Sequence, residues 1–227
     1  MLQERYIRNA AAISPEECGR LHDSAVAVIG CGGLGGYVIE ILGRLGIGHI
    51  RAVDGDCFEP SNLNRQLLAT EENLGSLKAQ AAADRMSRVN HLVAIEAVPQ
   101  MLNQDNAASL LQDMDLVIDA LDCRESRMIL QEAAKASGIP LVHGAVAGWY
   151  GRITTVFPGD DTLSRLYPAA QKSGAEKVLG TPSFAPPLIA SLQVSEAVKV
   201  LLHKGEPLRN QYLYIDLLSN MFHIARI

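Results

Sequence analysis

Residues able to do chemistry cluster in a few short stretches of the chain. Gly30-Cys31-Gly32-Gly33-Leu34-Gly35 has G-x-G-x-x-G spacing. Glycines let a backbone turn tightly and approach a phosphate, and the free amides of a helix start attract its charge. Asp54 ends the next apolar run, where a carboxylate can accept from ribose hydroxyls. Together these features point to a nucleotide and leave NAD, FAD and ATP all open. A polar connection, Ser61-Asn62-Leu63-Asn64-Arg65-Gln66, then leads to Lys78. Guanidinium binds phosphate oxygens in pairs and ammonium adds a point charge, so the two cations suit a triphosphate. Read singly, each is a solvated surface charge. Asp119-Ala120-Leu121-Asp122 closes another apolar run. Asp122, just beyond it, could hold Mg²⁺ or cap the helix that starts at Arg124.

Alternating short β-branched runs and longer helical stretches must position these groups. Ala25 to Ile29 is a continuous apolar run of the kind that forms a buried parallel strand. Residues 34–45 and 76–89 read as helices, with a strand over 49–54 between them. Further strands are predicted at 93–98, 116–120 and 141–145, with helices at about 104–112 and 124–137. This order predicts an α/β fold: a Rossmann-like, mainly parallel sheet with helices on both faces. The run over 152–157 has no helix before it, so antiparallel addition is expected. Residues 158–182 show little periodicity and read as a long crossover or lid loop. A helix over 186–202 and a hairpin of 212–217 with 222–227 supply antiparallel C-terminal strands.

Composition narrows the classes. The 227 residues are 48% hydrophobic and 20% charged, enough for a core without disulfide or metal staples. A net charge of -5 argues against the broad basic face that nucleic acid requires. No apolar run nears the about 18 residues needed to span a bilayer, and MLQERYIRNA lacks a secretory apolar stretch. Cys18, Cys31, Cys57 and Cys123 form no C-x-x-C pair, so they read as reduced thiols in a cytoplasmic chain. His143 reads as a core or site-edge residue and His203 as a cation at a helix end. Trp149 and Tyr150 read either as core or as lining of a channel.

Arg5-Tyr6-Ile7-Arg8-Asn9, the glycine loop, Asp54, the Ser61–Gln66 stretch, Lys78 and Asp122 together resemble the ThiF/MoeB/HesA family of ubiquitin-activating-type adenylyltransferases. The likeness runs from Arg5 to the final strands and includes Ser191-Leu192-Gln193, Glu196-Ala197 and Lys199. It implies an enzyme in which the C-terminal glycine carboxylate of a ubiquitin-like sulfur-carrier protein, ending in Gly-Gly, attacks the α-phosphate of ATP. The products are an acyl-adenylate and pyrophosphate, in sulfur transfer of the molybdopterin, tungstopterin or thiamine type. By the resemblance, Gly30, Gly32, Gly33 and Gly35 lie against the nucleotide and Asp54 binds its ribose. Asn62, Arg65 and Lys78 hold phosphates, and Asp122 coordinates Mg²⁺. Arg8 reaches the triphosphate from the neighbouring subunit of a homodimer.

One adenylation domain over residues 1–227 follows, with an N-terminal helical arm (1–24), a nucleotide-binding part (25–150), the crossover loop (158–182) and a C-terminal helix and hairpin (183–227). The chain departs from the pattern twice. It lacks the two C-x-x-C pairs that bind zinc in many members, with Leu163 to Tyr167 in the region of the first, so no structural zinc is expected. It also has no cysteine around Gly174-Ala175-Glu176-Lys177, so adenylation without a covalent carrier link is expected. Cys123 is the one thiol expected near the site, as a small semi-buried residue. The alternatives kept open are an NAD-dependent oxidoreductase, a non-catalytic nucleotide-binding subunit and an enzyme adenylating a carboxylate on modified tRNA.

Overall fold

The computed structural model describes residues 3–168 and 176–227. A 3-10 turn over Glu4–Asn9 leads to α1 (Pro15–His22), whose start is fixed by a reciprocal pair: Glu17 N–H donates to Ser14 Oγ and Ser14 N–H to the Glu17 carboxylate. Then come β1 (Ala25–Ile29), α2 (Gly35–Leu45), β2 (His49–Val53), α3 (Lys78–Val89), β3 (Ala94–Val98), α4 (Ala107–Leu110), β4 (Leu116–Asp119), α5 (Arg124–Ser137) and β5 (Leu141–Ala147). After these, β6 (Tyr150–Val156), α6 (Thr162–Leu166), α7 (Glu176–Leu179), α8 (Ala185–Leu202), β7 (Gln211–Asp216) and β8 (Met221–Arg226) complete the order.

Among the described residues all strands join one eight-stranded sheet, in the order β3-β2-β1-β4-β5-β6-β7-β8. Pairing is parallel from β3 to β5 and antiparallel from β5 to β8. Alternate residues of the central strand feed two cores, as a two-residue period requires. Val26 and Val28 pack with α2, α3 and α8 residues, whereas Ala27 and Ile29 pack with Leu110, Leu130 and Leu163 on the other face. Each fully buried Ile or Leu there contributes about 1.5–3 kcal/mol. Strand order reverses between β1 and β4, which opens a crevice beyond their carboxyl ends.

Besides shifts of a residue or two at strand ends, the structure departs from expectation as follows. Helix α3 begins at Lys78, not residue 76, because Phe58 N–H donates to Ser76 O and Lys78 N–H to Asp56 O. The helix expected over 104–112 shrinks to Ala107–Leu110. Asn103 and Asn106 bond to each other's segment before it, and Asp113 turns left-handed (φ 61°) after it. The stretch 158–182 is not structureless: α6 and α7 lie within it, α6 being pinned where Leu163 N–H donates to Gln131 Oε1 (2.8 Å). Residues 169–175, including Gly174 and Ala175, lie outside the described residues. Finally, α8 is long and apolar enough, by length and composition, to cross a membrane, contrary to the sequence reading. Its apolar side packs on β4, β5, β6 and α2, with 56% of the stretch buried in the fold.

Candidate functional site

A cleft of ≈ 340 Å³ occupies the crevice where the strand order reverses. Its first wall is built locally. Gly30 ends β1 with φ +98° and sits so close to Ala120 that a Cβ would lie 2.7 Å from the Ala120 carbonyl oxygen. At Gly35 a Cβ would overlap the Gly30 carbonyl, so this glycine lets α2 start directly under the loop. Leu34, at the N-cap of α2, offers no side-chain cap to its first turn. Its amide end faces the crevice, an arrangement that attracts anions.

Asp54 fastens this loop. Its Oδ2 accepts from Cys31 N–H (2.7 Å) and its Oδ1 from Asp56 N–H (2.8 Å). Burial raises its pKa above the ordinary carboxylate value, against the opposing pull of those two amides and Lys78. Burial likewise pushes the Cys31 thiol well above its usual range, with Asp54 adding to the effect. Cys31 is therefore a packing residue of the loop.

Lys78 reaches the same wall because the chain between β2 and α3 closes on itself. Asp56 to Phe58 pairs with Ser76 to Lys78 through backbone bonds, returning the start of α3 to the end of β2. A cation in the first turn of a helix opposes the helix dipole. Here the Lys78 side chain is nevertheless 9% exposed, held by Asp56 Oδ2 at 3.0 Å. Arg65 is half-buried beside the glycine loop. Its Nη1 donates to Ser61 O and Asn64 Oδ1 (2.8 Å each), which leaves further N–H groups of the fork available to a ligand.

The second wall draws on distant parts of the chain. Asp119 lies inside β4, fully buried, and Asp122 lies beyond it, exposed on the cleft rim. Asp122 is not the helix cap: Cys123 is, its Sγ accepting from Ser126 N–H (3.4 Å), and it is exposed, not semi-buried. Asp119 Oδ1 accepts from Leu121 N–H (2.9 Å), and Asp119 Oδ2 lies 2.7 Å from His143 Nδ1. His143 Nε2 lies 2.9 Å from the Tyr167 hydroxyl. Burial lowers the His143 pKa despite the adjacent carboxylate, which favours the neutral ring with one donor nitrogen. Arg127, 5% exposed, lines the cleft and donates through Nη2 to Leu121 O (2.6 Å).

Thus Gly30, Gly32, Gly33, Asp54, Arg65, Lys78 and Asp122 line one cleft. Three expected residues do not. Gly35 acts beneath the loop. Asn62 is buried and holds the 59–66 connection by accepting from Glu59 N–H (3.1 Å). Arg8 is exposed on the N-terminal arm, away from this chain's own cleft. Trp149 is exposed, with its ring centroid 4.5 Å from that of Phe184, and Tyr150 stacks on Tyr214; neither lines the cleft. His203 ends α8 in a left-handed conformation.

Sequence reasoning gave no role to Asp56, Gln66, Arg127 or Tyr167. Alternation of Asp54 with Asp56 beyond a strand end was a usable signal for the first. Gln66 is 7% exposed with an Oε1 that has no hydrogen-bond partner among the described residues, a buried acceptor on the cleft wall.

The chain matches the model of the ThiF family over residues 6–227. It belongs to that family. Among curated ThiF-like relatives, the SAMP-activating enzyme E1 of Haloferax volcanii is 34% identical over 224 residues, covering 96% of this chain and 83% of that protein. The sulfur carrier protein adenylyltransferase of Thermus thermophilus is 36% identical over 219 residues, covering 92% and 81%. Among solved structures, E. coli MccB with MccA-N7isoASN superposes with a TM-score of 0.87 at 19% identity, over 100% of this chain and 72% of that one. That last likeness concerns the fold, which this ThiF-family chain shares.

Proposed function

We propose that this protein adenylates the C-terminal glycine carboxylate of a ubiquitin-like sulfur-carrier protein, consuming ATP and releasing pyrophosphate. The relatives of the ThiF family it resembles are adenylyltransferases and activating enzymes. The observation that carries the reading is the convergence of the glycine loop, Asp54, Arg65, Lys78 and Asp122 on one cleft. Two cations on that wall suit the higher charge of a triphosphate better than a dinucleotide pyrophosphate, which weighs against an oxidoreductase.

In this reading the α2 amide end and Arg65 bind phosphates, Asp54 accepts from ribose, and Lys78 exchanges Asp56 for phosphate oxygens. A carboxylate nucleophile is already ionised, so no protein base is required. Acceleration comes from orienting two anions and stabilising charge on the departing pyrophosphate. The buried acceptor of Gln66 fits a ligand donor at the cleft wall. Among the described residues no three His, Cys, Asp or Glu side chains could hold a metal by themselves. One carboxylate with phosphate oxygens and water suits Mg²⁺, and Asp122 would supply it. Bound Mg²⁺ would neutralise phosphate charge.

Arg8, exposed on an arm anchored where Asn90 Nδ2 donates to Tyr6 Oη (2.8 Å), is free to serve a neighbouring subunit's cleft, making a homodimer the active unit. Residues 1–227 form one adenylation domain in this reading, supported by the single sheet. Four free thiols fit a cytoplasmic setting.

The test is carrier-dependent ATP–pyrophosphate exchange, run separately with a molybdopterin-type and a thiamine-type carrier, each also lacking its terminal glycine. Exchange is expected with one intact carrier and not with its truncated form. Arg65→Ala and Asp122→Ala should each lower it by about 100-fold or more, with melting temperature retained. Mixing Arg8→Ala with Asp122→Ala subunits should restore part of it. Full exchange in both single variants would refute the site.

A further inference from the structure

The strand end that precedes Asp122 is tied by a hydrogen-bonded chain from Asp119 through His143 to Tyr167, a residue outside the cleft. The chain has one direction. Asp119 is surrounded by donors: Leu121 N–H at Oδ1, His143 Nδ1 at Oδ2, and Arg127 Nε 3.9 Å from Oδ2. His143 Nδ1 therefore donates to the carboxylate, and Nε2 is left to accept from the Tyr167 hydroxyl. Leu121 is gripped twice, through its amide by Asp119 and through its carbonyl by Arg127. Asp122 is the next residue.

Tyr167 contacts His143 and Arg127 of this arrangement and two further arginines. Its ring lies 5.1 Å from the Arg127 guanidinium and 5.7 Å from that of Arg152, and edge-on to His143 at 5.5 Å. Its carbonyl accepts from Arg124 Nε (2.9 Å), at the first residue of α5. The tyrosine thus joins the end of α6 to β5, β6 and α5 at once.

We propose that Tyr167 is a positioning residue for the metal site: acting through His143, Asp119 and Arg127, it fixes the Leu121–Asp122 segment so that the Asp122 carboxylate meets Mg²⁺ bound to nucleotide. This rests on the reading of Asp122 given above. The dependence has a structural consequence. Residues 158–167, which lead from β6 through α6 to Tyr167, would thereby report their own placement to the Asp122 segment.

Calorimetric titration with ATP, in EDTA and then with Mg²⁺, separates this from a merely structural role. For Tyr167→Leu, affinity for metal-free ATP should stay within about twofold of wild type, while the gain in affinity on adding Mg²⁺ falls about tenfold. Tyr167→Phe keeps the ring between the guanidinium groups and loses only the hydroxyl, so its loss should be about threefold. Asp122→Asn should lose the Mg²⁺ gain by itself, and Asp122→Asn with Tyr167→Phe should lose no more. Equal losses with and without Mg²⁺, no loss in either Tyr167 variant, or additive losses in the double variant would each overturn the proposal. Wild-type protein that binds ATP with no Mg²⁺ gain would overturn the metal role of Asp122 and this inference with it. Failure to bind ATP at all would instead defeat the adenylation reading.

Discussion

On the first wall of the cleft, Asp54 ties the glycine loop to its own strand end and Asp56 holds Lys78 across a connection that zips onto itself. On the second wall, the Asp119–Leu121 segment that precedes Asp122 is held by contacts from β4, β5, α5 and the end of α6. One wall is assembled from neighbours joined by backbone amides, the other by side chains from elements far apart in the chain. A local wall should fail locally and by packing. A distributed wall should lose its register when any one of its members is removed, even at a distance from the ligand.

The severest way to break the first wall is Gly35→Ala. A methyl there overlaps the Gly30 carbonyl, and α2 must shift to admit it. A loss of about 3 kcal/mol is expected in urea unfolding. Loss under about 0.5 kcal/mol would mean that the loop is looser than its contacts indicate.

A matched pair then sharpens the contrast. Asp54→Asn leaves one of two amides short of an acceptor, so a loss of about 1–2 kcal/mol is expected. Faster amide hydrogen exchange should stay at Cys31 and Asp56. His143→Leu, in the second wall, removes the acceptor of the Tyr167 hydroxyl and the donor to Asp119 together. Faster exchange should then spread to Leu121 and the first turn of α5. The same spread in both variants would erase the distinction between the walls.

The smallest effect belongs to a pair outside both walls, which serves as a control. Arg209 Nε and Nη2 donate to the two oxygens of Asp160, each at 2.9 Å. This fork lowers the Asp160 pKa below the ordinary 3.8, against a smaller effect of burial. A lowered folded value means the pair stabilises fully above 3.8 and loses that contribution as pH falls through the lowered value. Asp160→Asn should cost about 0.5 kcal/mol near neutrality, since Arg209 is largely solvated, and nothing in strong acid. Nucleotide affinity should not change.

Legibility in the sequence followed the same division. The glycine loop, Asp54 and the strand–helix alternation could be read directly, because each rests on a local pattern of residue types. Lys78 was found as a residue, but its partner Asp56 was not, since the closure of Asp56 to Phe58 on Ser76 to Lys78 leaves no periodic trace. Asp119 and Asp122 were correctly divided between strand and strand end. His143 was noticed without its partners. Tyr167 carried no signal, since a tyrosine beyond a short, irregular helix looks like any other surface residue. Gly35 was expected against the nucleotide and instead spaces helix from strand, a packing role that a spacing motif does not distinguish.

By itself the sequence determined which backbone segments form strands and helices, where the chain turns beside a phosphate, and which charges are available, because these depend on residues within a few positions of one another. Tertiary structure alone decided which charges share a cleft, which are already partnered, and how the Asp119–Leu121 segment is held. Those outcomes depend on burial and on contacts between residues separated by whole elements, where desolvation makes each unpaired polar group costly and so fixes a single arrangement.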